Sequence, residues 1–488
     1  MLARGATISL FGSLTGLAVG FASHLALGRI LGPANFGLYS LGLAMTRIGI
    51  QVASLGLTTA VIYYGGQYWR TDAAKFRDVI LQSAGVTLSV GILMAGVLVI
   101  AAPYLANALF KEPQLTAVIR GLSPAIALFA ASQVAAATIA VSRRIRYAVY
   151  VDQVSVISFL VLFVALWLLG WKLAGAVAAF VGSAGIALLA AGYCLRLVFP
   201  EALSARGAQT IVIRDLLAFA MPAFLAGAFG APRQWTAQLF LGYFFSASEV
   251  GIFQAAFQTS TLLTASLFAV SAIFEVMTAD LYARHETSRL QELFKVSTKW
   301  VLYWSLIAFL IMASAPREFM VVLFGLRYRR GGLALLMLSI GRFINAGTGP
   351  VGSVLLLTGR QKRLLQISAI ALIAHLVLCL LFIPAFGVPG AALASALSTG
   401  GMSVAQVIVV RRELIMWPYD RRCLKGLAAA VVAAAALLPL SRFHIEPMTF
   451  ALLVKAVVCT VTFGAALLLI GLDEEDRQVL SLLVRQRR

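Results

Sequence analysis

Apolar stretches of about twenty residues recur along the whole chain, separated by short polar connections. Each is long enough to cross a hydrocarbon layer of roughly 30 Å as a helix. They fall near residues 5–28, 37–63, 79–102, 119–141, 150–170, 173–196, 214–242, 249–278, 298–324, 332–357, 363–384, 388–410, 423–441 and 449–472. The pattern predicts an all-α integral membrane protein with about fourteen transmembrane helices. The first stretch, Gly5 to Leu27, is longer than the roughly 7–15 residues of a signal-peptide core. It runs straight into a second span, so it reads as an uncleaved first helix.

The pattern also repeats itself. Leu25, Leu27, Gly28, Gly37, Leu38 and Tyr39 recur as Leu239, Leu241, Gly242, Gly251, Ile252 and Phe253, an offset of 214 between the first glycines. Pro103 with Leu109 and Phe110 returns as Pro316 with Leu323 and Phe324, and Gly175-Ala176 returns as Gly390-Ala391. Many secondary transporters are built from such a duplicated hydrophobic block, with the substrate site between the halves. Each copy holds an even number of spans, so both start from the same side and form two parallel six-helix repeats. The expected partition is an N-terminal repeat, 1–210, a C-terminal repeat, 211–412, and two additional transmembrane helices with a cytoplasmic tail, 413–488. Leu197 to Arg214, with Pro200 and Gly207, is the hinge.

Hydrophobic residues make up 61% of the chain and charged residues 12%, about half the charge of an ordinary soluble domain. A net charge of +20 invites a nucleic-acid partner, but its distribution removes that reading. With the N-terminus inside, the inward connections carry about 26 of the 39 Lys and Arg and the outward loops about 9. This bias is the positive-inside rule, and it places both termini in the cytoplasm. One outward loop departs from it: LFGLRYRRG, Leu323 to Gly331, carries Arg327, Arg329 and Arg330. Anionic lipid head groups or an exit-side cationic vestibule would each account for it. Cys194, Cys379, Cys423 and Cys459 lie in or beside apolar runs without paired or metal-ligand spacing. No disulfide framework, zinc site or cofactor is implied.

Candidate chemistry lies in polar groups that a bilayer penalises. Arg47 falls near the middle of the second span, where an arginine costs about 2.5–3.5 kcal/mol. It must face water or a partner. Gln51, Ser54 and Thr58 follow at helical spacing and Ser40 precedes by one heptad, which makes one polar stripe. Span one offers Ser9, Ser13, Gly16, Gly20 and Ser23, although Gly12, Gly16 and Gly20 also have the small-xxx-small spacing of close helix packing. In the second repeat Arg233, Gln234 and Gln238 follow Pro232, Gln254 and Gln258 lie on the eighth span, and Arg342 with Asn345 on the tenth. Pro222 and Pro232 predict a kinked or interrupted seventh span, and broken transporter helices line cavities or move. The substrate-binding candidates are therefore Arg47, Gln51, Ser54, Arg233, Gln234, Gln238, Gln254, Gln258 and Arg342. Structural pairing with a carbonyl or helix end competes for the arginines; Lys455, His24 and His375 read as snorkelling or core residues.

No carboxylate falls on the central stripes of spans one, two or seven, and Glu249, Glu275 and Asp280 lie toward the ends of span eight. Arginines and amides without an acid favour an anionic substrate over an organic cation. The chain lacks GxxxxGK[ST], HExxH and GxSxG, so neither direct ATP drive nor an enzyme is expected.

Four segments carry a family resemblance: GRILGPANFGLY (Gly28 to Tyr39), VGIFQAAFQTS (Val250 to Ser260), LTGRQKRLLQ (Leu357 to Gln366) and LFIPAFGVPGAALASALS (Leu381 to Ser398). They resemble the polysaccharide-biosynthesis exporters of the O-antigen-flippase type, in the superfamily that also holds multidrug extruders and the lipid II flippase. The resemblance runs over spans one to twelve. It implies a bacterial inner-membrane flippase that moves an undecaprenyl-pyrophosphate-linked oligosaccharide between leaflets by alternating access, with membrane lipids and glycan polymerases as candidate partners. Under it, Arg47 and Arg233 would contact the diphosphate or an acidic sugar. Gln51, Gln234, Gln238, Gln254 and Gln258 would suit sugar hydroxyls, because an amide both donates and accepts. Gly28 to Gly37 and Gly242 to Gly251 read as tight structural connections, with Gly32-Pro33 as a turn signal. A secondary exporter of drugs or small metabolites with the same fold, and a membrane glycan polymerase or ligase, are the alternatives.

Overall fold

The computed structural model describes residues 2–142, 144–200, 213–230, 233–442, 447–471 and 473. Among these residues there is no strand, and eleven helices are long and apolar enough to cross a membrane. The architecture is the expected all-α membrane fold. One of the eleven, Thr15–Tyr68, has 54 residues; at 1.5 Å per residue it is far longer than one bilayer crossing. Its first helix, α1 (Leu2–Ser54), is broken at Gly32, with φ 70°, and followed by Pro33. Glycine tolerates that dihedral and proline lacks the amide that would continue the ladder. The two expected first spans lie on either side of this break.

Several expected spans are discontinuous, the seventh and the tenth among them. The seventh is divided into Ile213–Gly230 and Arg233–Phe244, and Pro232 lies outside the described residues. The tenth, expected as one run over 332–357, is instead two pieces, Gly332–Gly347 and Val351–Leu357. Gly349 has φ 65°, and Pro350 next to it supplies no amide. A side chain at Gly349 would also collide with Thr298.

The chain packs as two compact units, residues 1–255 with 368–394, and 256–367 with 395–488. The first contains α1, α2 (Leu57–Tyr68), α3 (Ala73–Tyr104), α4 (Leu115–Leu122), α5 (Ala125–Val141), α6 (Ile145–Leu168), α7 (Leu173–Val198), α8 (Ile213–Gly230), α9 (Arg233–Phe244) and most of α10 (Ala247–Thr261). Small residues set its helix contacts. Gly49 lies against Ile126 and Gly91 against the Ala127 backbone, the close approach that apolar solvent makes profitable. Asp72 caps α3 by accepting from the Lys75 amide at 3.0 Å, and that hydrogen bond, with the Lys75 charge, holds its exposed carboxyl below the usual range.

The second unit is organised around α12 (Thr287–Ser314), which also carries the last two helices, α18 (Arg421–Arg442) and α19 (Met448–Ile470). Leu302 and Leu306 of α12 pack with Ala429, Ala433 and Leu437 of α18 and Cys459 and Phe463 of α19. At one end of this bundle Asp473 lies between two lysines, 2.6 Å from Lys425 and 3.6 Å from the buried Lys299. Arg422 adds a pair with Glu292 at 2.6 Å. The four cysteines are all free and buried.

Candidate functional site

The first unit encloses a cavity of about 340 Å³, lined on α1 by Ser23, His24, Tyr39 and Arg47 and on α5 by Phe129, Ser132 and Gln133. α6 contributes Asp152, Ser155 and Phe159, and α7 contributes Phe180 and Ser183. Both halves of α1 reach this space because the chain is broken at Gly32. Of the polar stripe read in the sequence around Arg47, Arg47 itself lines the cavity, and Ser40, Gln51, Ser54 and Thr58 do not.

The Arg47 guanidinium sits over two rings, 5.7 Å from the Phe129 centroid and 5.6 Å from that of Phe180. The rings themselves pack 4.9 Å apart, and Phe159 stands edge-on to Phe180. Such a cation–ring contact stabilises a cation by about 0.5–2 kcal/mol while leaving its in-plane N–H donors available. The serines around it behave differently. Ser23 donates to the Val19 carbonyl at 2.8 Å, Ser132 to Phe129 at 2.8 Å, Ser155 to Asp152 at 2.8 Å and Ser183 to Phe180 at 2.8 Å. With their protons spent on their own helices, these oxygens offer acceptor lone pairs. The cavity thus combines a donor cation, an aromatic wall, hydroxyl acceptors, the Gln133 amide and one carboxylate.

The remaining sequence candidates lie elsewhere. Ser54 donates back to the Gln51 carbonyl at 2.9 Å, and the Gln51 amide lies against Gly227 of α8; neither lines the cavity. Gln238, on α9, donates its amide to the Gln254 side chain on α10, and both are buried. The two amides satisfy each other across a helix pair. Arg233 starts α9, and its main chain lies beside the buried His375. The Gln234 side chain lies outside the described residues. Gln258 and Arg342 belong to the second unit, where Arg342 sits 4.9 Å over the Phe257 ring and Asn345 donates to Ser403 at 2.8 Å.

Sequence reasoning missed Asp152, Gln133 and the aromatic wall. They come from α5, α6 and α7 and share no periodic stripe with Arg47. The one available signal was Asp152 itself, the single acid of α6. Among the described residues no group of three or more His, Cys, Asp or Glu could hold a metal ion.

The family described as "Polysaccharide biosynthesis protein" matches residues 26–330. No curated protein sequence matches the chain. Among solved structures, the lipid II flippase MurJ in an inward closed conformation is similar with a TM-score of 0.78 at 9% identity, covering 94% of this chain and 97% of that one. A mutant of the Vibrio cholerae MATE transporter VcmN is similar with a TM-score of 0.61 at 16% identity, covering 87% and 98%. A transporter of the MOP superfamily from Pyrococcus furiosus, whose binding pocket is described as having reverse polarity, gives 0.59 at 14%, covering 84% and 96%. At these identities the likeness is one of fold.

Proposed function

Because the chain belongs to the polysaccharide biosynthesis protein family, we propose that it flips a lipid-linked, undecaprenyl-pyrophosphate-bearing oligosaccharide across the bacterial inner membrane by alternating access. The observation that carries this reading is the Arg47 cavity. A guanidinium set over the packed Phe129 and Phe180 rings presents planar donors suited to phosphate or carboxylate oxygens. The ring wall and the serine acceptors suit the apolar faces and hydroxyl groups of sugars. The organisation proposed is two parallel six-helix repeats, 1–210 and 211–412, with 413–488 as an appendix, both termini being cytoplasmic. Arg233 and Arg342 are proposed as further anion contacts.

The experiment is transbilayer movement of a fluorescent undecaprenyl-pyrophosphate oligosaccharide in liposomes reconstituted with the full-length protein, read by protection from an external quencher. Movement well above empty liposomes, lost with Arg47→Ala and partly restored with Arg47→Lys, is the expected result. No movement by the folded parent protein rejects the reading. A second reading, export of soluble organic cations, is favoured by Asp152, which supplies an acid to the same cavity. Dye efflux abolished by Asp152→Asn, with no lipid movement, would select it.

A further inference from the structure

The basic segment that departs from the charge bias is built into the fold. α12 ends at Ser314, Pro316 opens α13 (Pro316–Phe324), and Gly325 at φ 101° turns the chain into a 3₁₀ segment, Leu326–Gly331. With three residues per turn, positions three apart eclipse. Tyr328 and Gly331 are accordingly both buried, with the Tyr328 ring 5.4 Å from Phe324, and burial pushes the Tyr328 hydroxyl pKa upward. Arg327 and Arg330 share the other, exposed face, and Arg329 is exposed beside them. Arg317 is exposed and lies next to this segment, since Gly332 packs directly on Arg317.

No ion pair among the described residues involves Arg317, Arg327, Arg329 or Arg330, and Glu318 is the sole acid from 316 to 332. Eclipsed guanidiniums repel, and an anion that accepts from both removes that cost. Leu326, 73% exposed, and Leu333, 47% exposed, flank the arginines. Apolar side chains beside a basic face, at the end of a membrane-crossing helix, make the pattern of a segment seated among lipid head groups.

We propose that this segment docks the phosphate of an anionic phospholipid head group. Arg327 and Arg330 are the paired donors, Arg317 and Arg329 strengthen the local field, and Leu326 reaches the hydrocarbon. Basic residues at a membrane surface gain affinity for anionic lipids in this way. The assignment is independent of what the protein transports.

Native mass spectrometry of the full-length protein in detergent tests it, with dioleoylphosphatidylglycerol or dioleoylphosphatidylcholine as the added lipid. The parent should retain phosphatidylglycerol in preference to phosphatidylcholine. The double variant R327Q/R330Q, with an unchanged melting temperature, should retain phosphatidylglycerol at least about tenfold less well, with phosphatidylcholine unaffected. R327K/R330K should fall between the two. Equal retention of both lipids by the parent, undiminished retention by the glutamine pair, or a lysine pair no better than the glutamine pair overturns the proposal. So does tighter retention of a hyaluronan hexasaccharide than of phosphatidylglycerol, which would make the face a glycan surface.

Discussion

Gly37 and Gly251 meet main chain to main chain. A Cβ on Gly37 would overlap the Ala247 carbonyl and lie 2.9 Å from the Gly251 amide, and a Cβ on Gly251 would overlap the Pro33 carbonyl and lie 3.0 Å from the Gly37 amide. These two glycines are also the repeat-related pair, 214 residues apart. The duplication thus places the same residue on both sides of one helix crossing. Only hydrogen fits there, because the obstructing atoms are backbone and have no rotamer to adopt.

Gly37→Ala and Gly251→Ala should each destabilise the protein by about 1–3 kcal/mol or more, the cost of overpacking a site that cannot relax. Gly85→Ala, where nothing lies within 4 Å, should be neutral or slightly stabilising through higher helix propensity. Thermal unfolding of the three variants in detergent, followed by tryptophan fluorescence, checks the contrast; equal melting temperatures would remove the crossing from the account.

Beside that crossing, Glu112 accepts from the Ala247 amide at 3.0 Å. Its carboxylate satisfies one of the amides that α10 leaves open at its N-terminus and opposes the positive end of the helix dipole. Glu112→Ala should cost about 0.5–2 kcal/mol. Glu112→Gln, which keeps an oxygen acceptor but loses the charge, should recover roughly half. Melting temperatures that rank glutamine no better than alanine would contradict the capping role.

Much of this fold was written in local pattern, because a bilayer demands long apolar runs and a duplicated run leaves duplicated glycines. The turn at Gly32-Pro33 was legible for the same reason. The break at Gly349-Pro350 is harder to read, because apolar content on either side makes 332–357 look like one continuous span despite two successive backbone signals. The site divides along similar lines. Helical spacing placed Arg47 on a polar stripe at mid-span, and the structure puts it in a cavity. Its neighbours Phe129, Asp152 and Phe180 belong to three other helices, and no periodicity within one helix can reveal what another helix brings. Gln238 and Gln254 illustrate the converse. Two buried amides sixteen residues apart look like free hydrogen-bonding groups until packing joins them.

The tail contact makes a pH prediction. Burial pushes the Asp473 carboxyl up, but the hydrogen bond from Lys425 and the charges of Lys299, Lys425 and Arg422 outweigh it and hold the group below the usual carboxylate range. A depressed folded pKa contributes stability above the unfolded value of about 3.9, and that contribution disappears as pH falls through the lower folded value. The melting temperature of the parent should therefore decline from pH 5 toward pH 3 more steeply than that of Asp473→Asn. The variant should melt lower at pH 7, because Lys299 and Lys425 lose their shared partner. Parallel pH profiles would show that Asp473 does not hold the last helices in place.

The glutamine pair offers a test that separates packing from substrate contact. Replacing one buried partner leaves the other polar group unsatisfied, at a cost of about 1–3 kcal/mol, whereas replacing both by apolar groups of similar shape is close to neutral. Gln238→Leu and Gln254→Leu should each lower the melting temperature, and the double variant should recover most of the loss, giving a large coupling energy between the sites. If the pair is structural, lipid-linked oligosaccharide movement by the double variant, normalised to folded protein, should equal that of the parent. If either amide instead holds a sugar hydroxyl, the double variant would be stable and inactive. Measuring melting temperature and transbilayer movement on the same three preparations decides between a helix clasp and a recognition site.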